Sequence, residues 1–143
     1  MKCEEWHRYN KKDQENGFTL IEVLIAIVIL SVGLLGMAAL TVGIIKGNKL
    51  SNDLTTATTL AQDKMEDVRR LGYSGTSATT TTDTEAYGTI ADTSGTILPE
   101  YAAYKRVTVT TVDSPAVGMK AITVTTYWDS DGHSVELKTI LAQ

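Results

Sequence analysis

The chain has almost no cysteine and almost no histidine. Its 143 residues include one cysteine, Cys3, and two histidines, His7 and His133, which lie far apart in the sequence. An intrachain disulfide is therefore excluded, and no group of His, Cys and carboxylate residues has the spacing of metal ligands. The sequence also has no glycine-rich phosphate loop and no nucleophile elbow. We predict a protein that is not an enzyme and that has no catalytic residue, no metal and no cofactor.

An excess of basic residues is missing too. The chain has 13 Lys and Arg residues against 17 Asp and Glu, which gives a formal net charge of −4. Binding to phosphate backbones needs a basic surface, and Lys105, Arg106 and Lys120 are too few to form one in the C-terminal half. We therefore predict no nucleic-acid partner. A chain of this length is expected to hold one modest domain.

Proline is absent between residues 18 and 71, and the first half of that stretch is apolar. Within the segment 18–45 the only charged residue is Glu22. About 20 apolar residues are enough to cross the hydrocarbon core of a bilayer. The segment is too long for the apolar part of a secretory signal, although Gly36-Met37-Ala38 would pass as a cleavage site. Two interpretations remain: a plain membrane anchor, or a helix that first anchors the chain and later packs against copies of itself.

Beyond Lys46 the apolar residues recur at intervals of mostly three or four, the pattern of an amphipathic helix. These residues are Leu50, Leu54, Ala57, Ala61, Met65, Val68 and Leu71. Gly72 supplies a C-terminal stop, with Arg69 and Arg70 expected in the last turn. The sequence therefore predicts one helix over residues 18–71, roughly 80 Å long.

Glu22 needs an explanation, because a carboxylate inside a membrane is costly, although less so near one end. One interpretation places Glu22 at the level of the lipid headgroups. The other gives the carboxylate a cation. If the chain is cut before Phe18, the new α-amino group lies one helical turn from Glu22 and pairs with the Glu22 of a neighbouring subunit.

The sequence GFTLIEVL, from Gly17 to Leu24, follows a short polar leader and opens the apolar run. It resembles the class III signal of type IV prepilins and pseudopilins. The resemblance implies that a membrane prepilin peptidase cuts after Gly17 and N-methylates Phe18, whose amine stays cationic and forms the assembly ion pair with Glu22. The partners it implies are other major and minor pilins, an inner-membrane assembly platform with a cytoplasmic ATPase, and the membrane itself.

The chain departs from the usual pattern of that family in three features. The proline expected near Ala39 is absent, and so is the disulfide-bounded loop of many pilin heads, so a receptor-binding loop of that kind is not expected. The leader 1–17 has four basic and four acidic residues and no net charge. Because acidic residues count little in the positive-inside rule, we still place the leader in the cytoplasm.

The C-terminal half changes to a period of two, which is typical of strands. Residues 72–99 are rich in Thr, Ser, Gly and Asp and predict an irregular connection or a few short strands. Alternation then predicts strands around 104–112, 122–128 and 135–141. Asp131-Gly132 suits a two-residue type I′ turn. The register that follows pairs Ser130 with His133, Trp128 with Val135, Thr126 with Leu137, and Ile122 with Leu141.

These observations predict an α+β, pilin-like fold: a long N-terminal α-helix, membrane-spanning in its first half, with a C-terminal antiparallel β-sheet packed on its second half. The predicted parts are a leader 1–17 that is removed, a transmembrane and filament-core helix 18–45, an amphipathic continuation 46–71 and a β-rich head 72–143. Before assembly we expect a single-pass inner-membrane protein with a periplasmic head, and afterwards a surface pilus or a periplasmic pseudopilus.

The resemblance is strongest to PilV-type minor pilins, structural subunits that help to initiate or decorate type IV pilus assembly. Three other interpretations stay open. The chain is a minor pseudopilin of a type II secretion system, a DNA-uptake or adhesive pilus subunit, or a plain membrane anchor with an unrelated periplasmic domain. The last of these predicts no cleavage at Gly17.

Overall fold

A computed structural model describes residues 17–143, so residues 1–16 of the predicted leader, including Cys3, lie outside the described residues. The described chain has one long helix and one antiparallel sheet, which confirms the predicted α+β class. The elements in chain order are α1 Leu20–Gly75, β1 Thr81–Glu85, a 3-10 turn at Pro99–Tyr101, β2 Tyr104–Val112, β3 Met119–Trp128 and β4 His133–Ala142. The chain divides into two compact units between Ile44 and Ile45.

The first unit is the apolar part of α1. Its residues are exposed along the whole described length, since no described residue packs against them. The helix continues through Gly33, Gly36 and Gly43, although glycine weakens a helix interior. Space around each of these glycines is open, so none of them is required by a close contact within the described chain.

In the second unit, the regular part of α1 stops at Gly72, as predicted, although the helix as a whole extends to Gly75. Gly72 has φ 68° and ψ −174°, a conformation that favours glycine, and one further turn follows it. Arg69 and Arg70 therefore lie before the last turn, which has no basic residue. Lys120 on β3 takes their expected place: its ammonium donates hydrogen bonds to the carbonyl oxygens of Tyr73 at 2.7 Å and Thr76 at 3.1 Å. These are carbonyls of the kind that a helix end leaves unsatisfied.

The sheet has the order β1-β2-β3-β4, with antiparallel pairing throughout. Strands β2, β3 and β4 lie where the alternation predicts them. Strand β1 lies in the stretch 72–99, and its polar sequence TTDTE gives it no apolar alternation. It is an edge strand whose register is fixed by β2, with Thr81 opposite Thr110 and Glu85 opposite Arg106.

The predicted register of the β3–β4 hairpin is wrong by two residues. Trp128 pairs with His133, and Thr126 pairs with Val135. The turn is centred on Ser130 and Asp131, with φ 54° and 67°, while Gly132 is not among the residues with positive φ. The N–H of Gly132 donates to the carbonyl of Asp129 at 3.0 Å and closes the turn. Because the shift is by two residues, every side chain stays on its predicted face.

The reason for the shifted turn is tertiary. Asp131 accepts hydrogen bonds from the hydroxyl of Tyr87 and from the ammonium of Lys105, neither of which belongs to the hairpin. The N–H of Asp131 also donates to the Tyr87 hydroxyl at 3.0 Å. Aspartate tolerates positive φ better than most residues, so these contacts favour a turn in which Asp131 is the second central residue, after Ser130, over the predicted turn in which it is the first, before Gly132.

The core lies between the second half of α1 and the inner face of the sheet. One cluster contains Ala57, Leu60, Ile90, Tyr104 and Trp128. A second cluster contains Ala61, Met65, Val68, Ile122 and Val124. The two alanines have no exposed surface and allow the sheet to approach the helix closely. The predicted apolar stripe is buried only from Ala57 to Val68, since Leu50 and Leu54 are nearly half exposed and Leu71 is 55% exposed.

Candidate processing and assembly site

The predicted cleavage site lies immediately before α1. Gly17, Phe18 and Thr19 are not helical, and the helix begins at Leu20. The side chain of Phe18 is 82% exposed, and space around Gly17 is open. The bond between Gly17 and Phe18 is therefore accessible and lies outside the hydrogen-bonded helix. A peptidase that needs a sterically open bond would find one here.

Thr19 starts the helix as its N-cap. The N–H of Glu22 donates to the Thr19 carbonyl at 3.1 Å and to the Thr19 hydroxyl at 3.3 Å. The N–H of Val23 also donates to the Thr19 carbonyl, at 3.2 Å. A threonine followed three residues later by glutamate is the signature of a capping box. This spacing of Thr19 and Glu22 is visible in the sequence and identifies Thr19 as an N-cap. The sequence prediction above considered only Glu22 in this turn.

Glu22 lies in the first turn of α1 and is exposed. A carboxylate at this position interacts favourably with the positive end of the helix dipole. The structure thus brings Gly17, Phe18 and Glu22 to one helix start. The pairing of Glu22 with the amine of Phe18 on a neighbouring subunit stays a prediction.

The helix that follows this start has an apolar surface that nothing in the described chain covers. Its large apolar side chains between Phe18 and Ile45 are 48% to 82% exposed. Folded monomers in water rarely leave so continuous an apolar surface exposed. Helix α1 is long and apolar enough to cross a membrane. The surface fits lipid before assembly or the apolar helices of other subunits afterwards.

Residues 12–38 match the family model described as the prokaryotic N-terminal methylation motif. The chain carries a prepilin-type methylation motif. This finding confirms the resemblance to type IV prepilins and pseudopilins and supports a structural subunit that a prepilin peptidase processes and that assembles with other pilins. No curated protein and no solved structure matches the chain.

The head of this prepilin-type chain uses its three basic strand residues internally. Lys105, on the outer face of the sheet, forms an ion pair with Asp131. Arg106 and Lys120 are 5% and 4% exposed and point towards α1. The three cations therefore lie on two faces and have partners within the head. They do not form a basic surface of the kind that a DNA-uptake subunit would need.

Of these three basic residues, Arg106 forms the most hydrogen bonds. Its role was not predicted from the sequence. Its guanidinium pairs with the carboxylate of Glu85 on β1 and donates to the carbonyl of Leu60 on α1 at 2.9 Å. Burial raises the pKa of Glu85, but hydrogen bonds and charge from Arg106 and the charge of Lys64 outweigh it, so that the pKa lies below its ordinary value. The network joins α1, β1 and β2. Because it is buried and fully paired, it is structural.

Proposed function

We propose that this chain is a minor type IV pilin that helps to initiate or decorate the pilus. The observation that carries the proposal is the combination of an accessible Gly17–Phe18 bond, a capped helix start at Thr19 and the uncovered apolar helix behind it. The head supports the proposal through its Thr- and Val-rich antiparallel sheet packed on the amphipathic part of α1.

The proposed parts follow the predicted boundaries. Residues 1–17 form a cytoplasmic leader that the peptidase removes, and residues 18–45 span the inner membrane and later enter the filament core. Residues 46–71 support a head formed by residues 72–143, periplasmic at first and at the cell surface after assembly. The same N-terminus would also serve a minor pseudopilin of type II secretion, whose assembly stays in the envelope.

We further propose that the carboxylate of Glu22 docks the subunit by pairing with the methylated amine of Phe18 on its neighbour. Two charges attract more strongly in a low-dielectric filament core than in water. Removing one partner of a buried pair leaves the other unpaired and costs about 3–5 kcal/mol. Loss of the carboxylate should therefore reduce incorporation into filaments without preventing membrane insertion or cleavage.

The test expresses Glu22→Gln in the native host and quantifies the protein in sheared surface filaments and in the membrane fraction. Glu100→Gln, at an exposed position in the head, is the matched control. We expect the Glu22 variant to be cleaved and membrane-bound but depleted in filaments at least about tenfold, and the control to behave as wild type. Wild-type levels of cleaved Glu22→Gln in filaments would rule out the ion pair. A wild-type protein confined to the envelope, and needed for secretion instead, would favour the pseudopilin.

A further inference from the structure

A cleft of about 480 Å³ lies between the β3–β4 hairpin and the part of α1 that follows Ile45 in the sequence. One wall is the part of α1 that carries Lys46, Lys49 and Asp53, and the other is the tip of the β3–β4 hairpin, with Trp128 and His133. All of these residues belong to the second compact unit. We call this feature the hairpin-tip cleft.

The two lysines of the hairpin-tip cleft differ in their pairing from the other lysines and arginines of the second compact unit. Among residues 17–143, every other lysine and arginine has a hydrogen bond or an ion pair with another residue. Within that same range, neither Lys46 nor Lys49 has one. Two ammonium groups thus line one cleft without a protein acceptor, which indicates an anionic group of a ligand.

The cleft also offers carboxylates and aromatic surfaces. Asp53 and Asp129 line it, and Asp53 accepts a hydrogen bond from the hydroxyl of Tyr104 at 3.3 Å. The rings of Trp128 and His133 stack with centroids 5.5 Å apart and line one side of the cleft. Carboxylates hold a primary ammonium by charge-assisted hydrogen bonds. The lining therefore suits a ligand that carries both an anion and a cation.

The position of Lys46 and Lys49 along α1 indicates which class of ligand the cleft meets. Ile45 is the last residue of the apolar segment, and Lys46 and Lys49 lie in the turn that follows it in the same helix. Those residues rise roughly 1.5 to 6 Å beyond Ile45, whereas the headgroup region of each leaflet is about 5–7 Å deep. When the apolar segment spans a bilayer, the two lysines lie among phosphate groups.

We propose that the hairpin-tip cleft binds the headgroup of a zwitterionic phospholipid with a primary ammonium, phosphatidylethanolamine, while the chain is in the membrane. Lys46 and Lys49 bind the phosphate, and Asp53 and Asp129 accept from the ammonium beside Trp128. An anionic headgroup without an amine would satisfy the lysines but would place hydroxyls or a second negative charge near the carboxylates. The inference rests on the proposed membrane insertion.

The experiment uses the full chain with Trp6→Phe, so that Trp128 is the only tryptophan. The protein is reconstituted into vesicles of phosphatidylcholine, phosphatidylethanolamine and phosphatidylglycerol in equal amounts, and native mass spectrometry counts the lipids it retains. We expect retention of phosphatidylethanolamine above the other two. Lys46→Gln with Lys49→Gln should reduce this retention about 30-fold, roughly fivefold for each lysine.

Two further variants serve as control and as a test of the ammonium site. Arg69→Gln with Lys138→Gln removes the same charge from exposed positions outside the cleft and should retain lipid as wild type does. Asp53→Asn should shift retention from phosphatidylethanolamine towards phosphatidylglycerol. Trp128 emission verifies that each variant keeps the fold of the hairpin.

The outcomes separate the inference from the proposed function. Equal retention by the Lys46 and Lys49 double variant and the wild type would overturn the site. A preference for phosphatidylglycerol that Asp53→Asn leaves unchanged would overturn it in favour of an anionic lipid. If the chain inserts into the vesicles but retains no lipid, only this inference fails. If the chain enters no vesicle, the membrane span fails with it.

Discussion

The guanidinium of Arg106 donates hydrogen bonds to both carboxylate oxygens of Glu85, at 2.6 and 2.7 Å. Glu85 is the last residue of the short polar strand β1, and Arg106 lies opposite it on β2. A further hydrogen bond from Arg106 reaches the carbonyl of Leu60, so the pair also fixes the strands to α1. Strand β1 has the polar sequence TTDTE, so beyond its backbone pairing with β2 this ion pair is its main side-chain attachment to the core.

Removal of the Glu85 charge should therefore destabilise the head. Glu85→Gln leaves the guanidinium of Arg106, which is 5% exposed, without its carboxylate. We expect the free energy of unfolding to fall by about 3 kcal/mol, measured by denaturant titration of the full chain in detergent. Asp83→Asn, whose exposed side chain pairs with Lys64 at 3.7 Å, is the control and should cost at most about 0.5 kcal/mol. Equal losses in the two variants would contradict this role.

The same pair makes the head sensitive to acid. The pKa of Glu85 lies below its ordinary value of 4.5. A carboxyl whose pKa is lower in the folded state stabilises the fold above the unfolded-state pKa, and this contribution is lost as the pH falls through the folded-state pKa. The melting temperature of the wild type should thus fall more steeply below pH 4.5 than that of Glu85→Gln. Parallel pH profiles of the two proteins would show that Glu85 does not contribute.

Much of the fold could be predicted because its signals are local. The apolar run, the stripe beyond Lys46 and the alternation in three strands each repeat with a period that one helix or strand imposes. Strand β1 escaped prediction because its pairing is set by Arg106, twenty-one residues after Glu85, and not by a pattern of its own. The hairpin register was missed for a similar reason, since Tyr87 and Lys105 hold Asp131 from outside the hairpin.

The functional and structural residues discussed above also differ in whether a local pattern predicts them. Gly17, Phe18 and Glu22 lie within one short motif, so they could be proposed from the sequence alone, and their roles stay predictions. The inward orientation of Lys120 depends on the extra helical turn after Gly72, which brings the carbonyls of Tyr73 and Thr76 within reach. No local pattern predicts that turn.

The observed hairpin register makes its own prediction. Ser130 has φ 54°, a conformation that costs a non-glycine residue roughly 1–2 kcal/mol. Ser130→Gly should therefore leave the melting temperature unchanged or raise it, because relief of this strain offsets the greater freedom of glycine in the unfolded chain. Ser134→Gly, inside β4, should lower stability by roughly 0.5–1 kcal/mol. If both variants lose stability equally, Ser130 is not at the centre of the turn.

The cap that Lys120 places on α1 can be tested in isolation. Lys120→Met keeps an apolar stem of similar length but leaves the Thr76 carbonyl without this donor and the Tyr73 carbonyl with the Thr76 hydroxyl alone. We expect a loss of about 2 kcal/mol and faster proteolysis between Gly72 and Thr76. Lys138→Met, at an exposed position on β4, is the control and should leave both unchanged. Slow proteolysis in both variants would show that the turn after Gly72 is held by other contacts.

The central claim is that the chain is processed as a prepilin, and the intact mass of the protein purified from its native host tests it most directly. The account predicts a chain that begins at Phe18 and carries one added methyl group on its amine. Gly17→Val, which crowds the scissile bond, should accumulate the uncut form. A wild-type protein that retains residues 1–17, or that begins at Ala39 after cleavage as a secretory signal, would contradict the account.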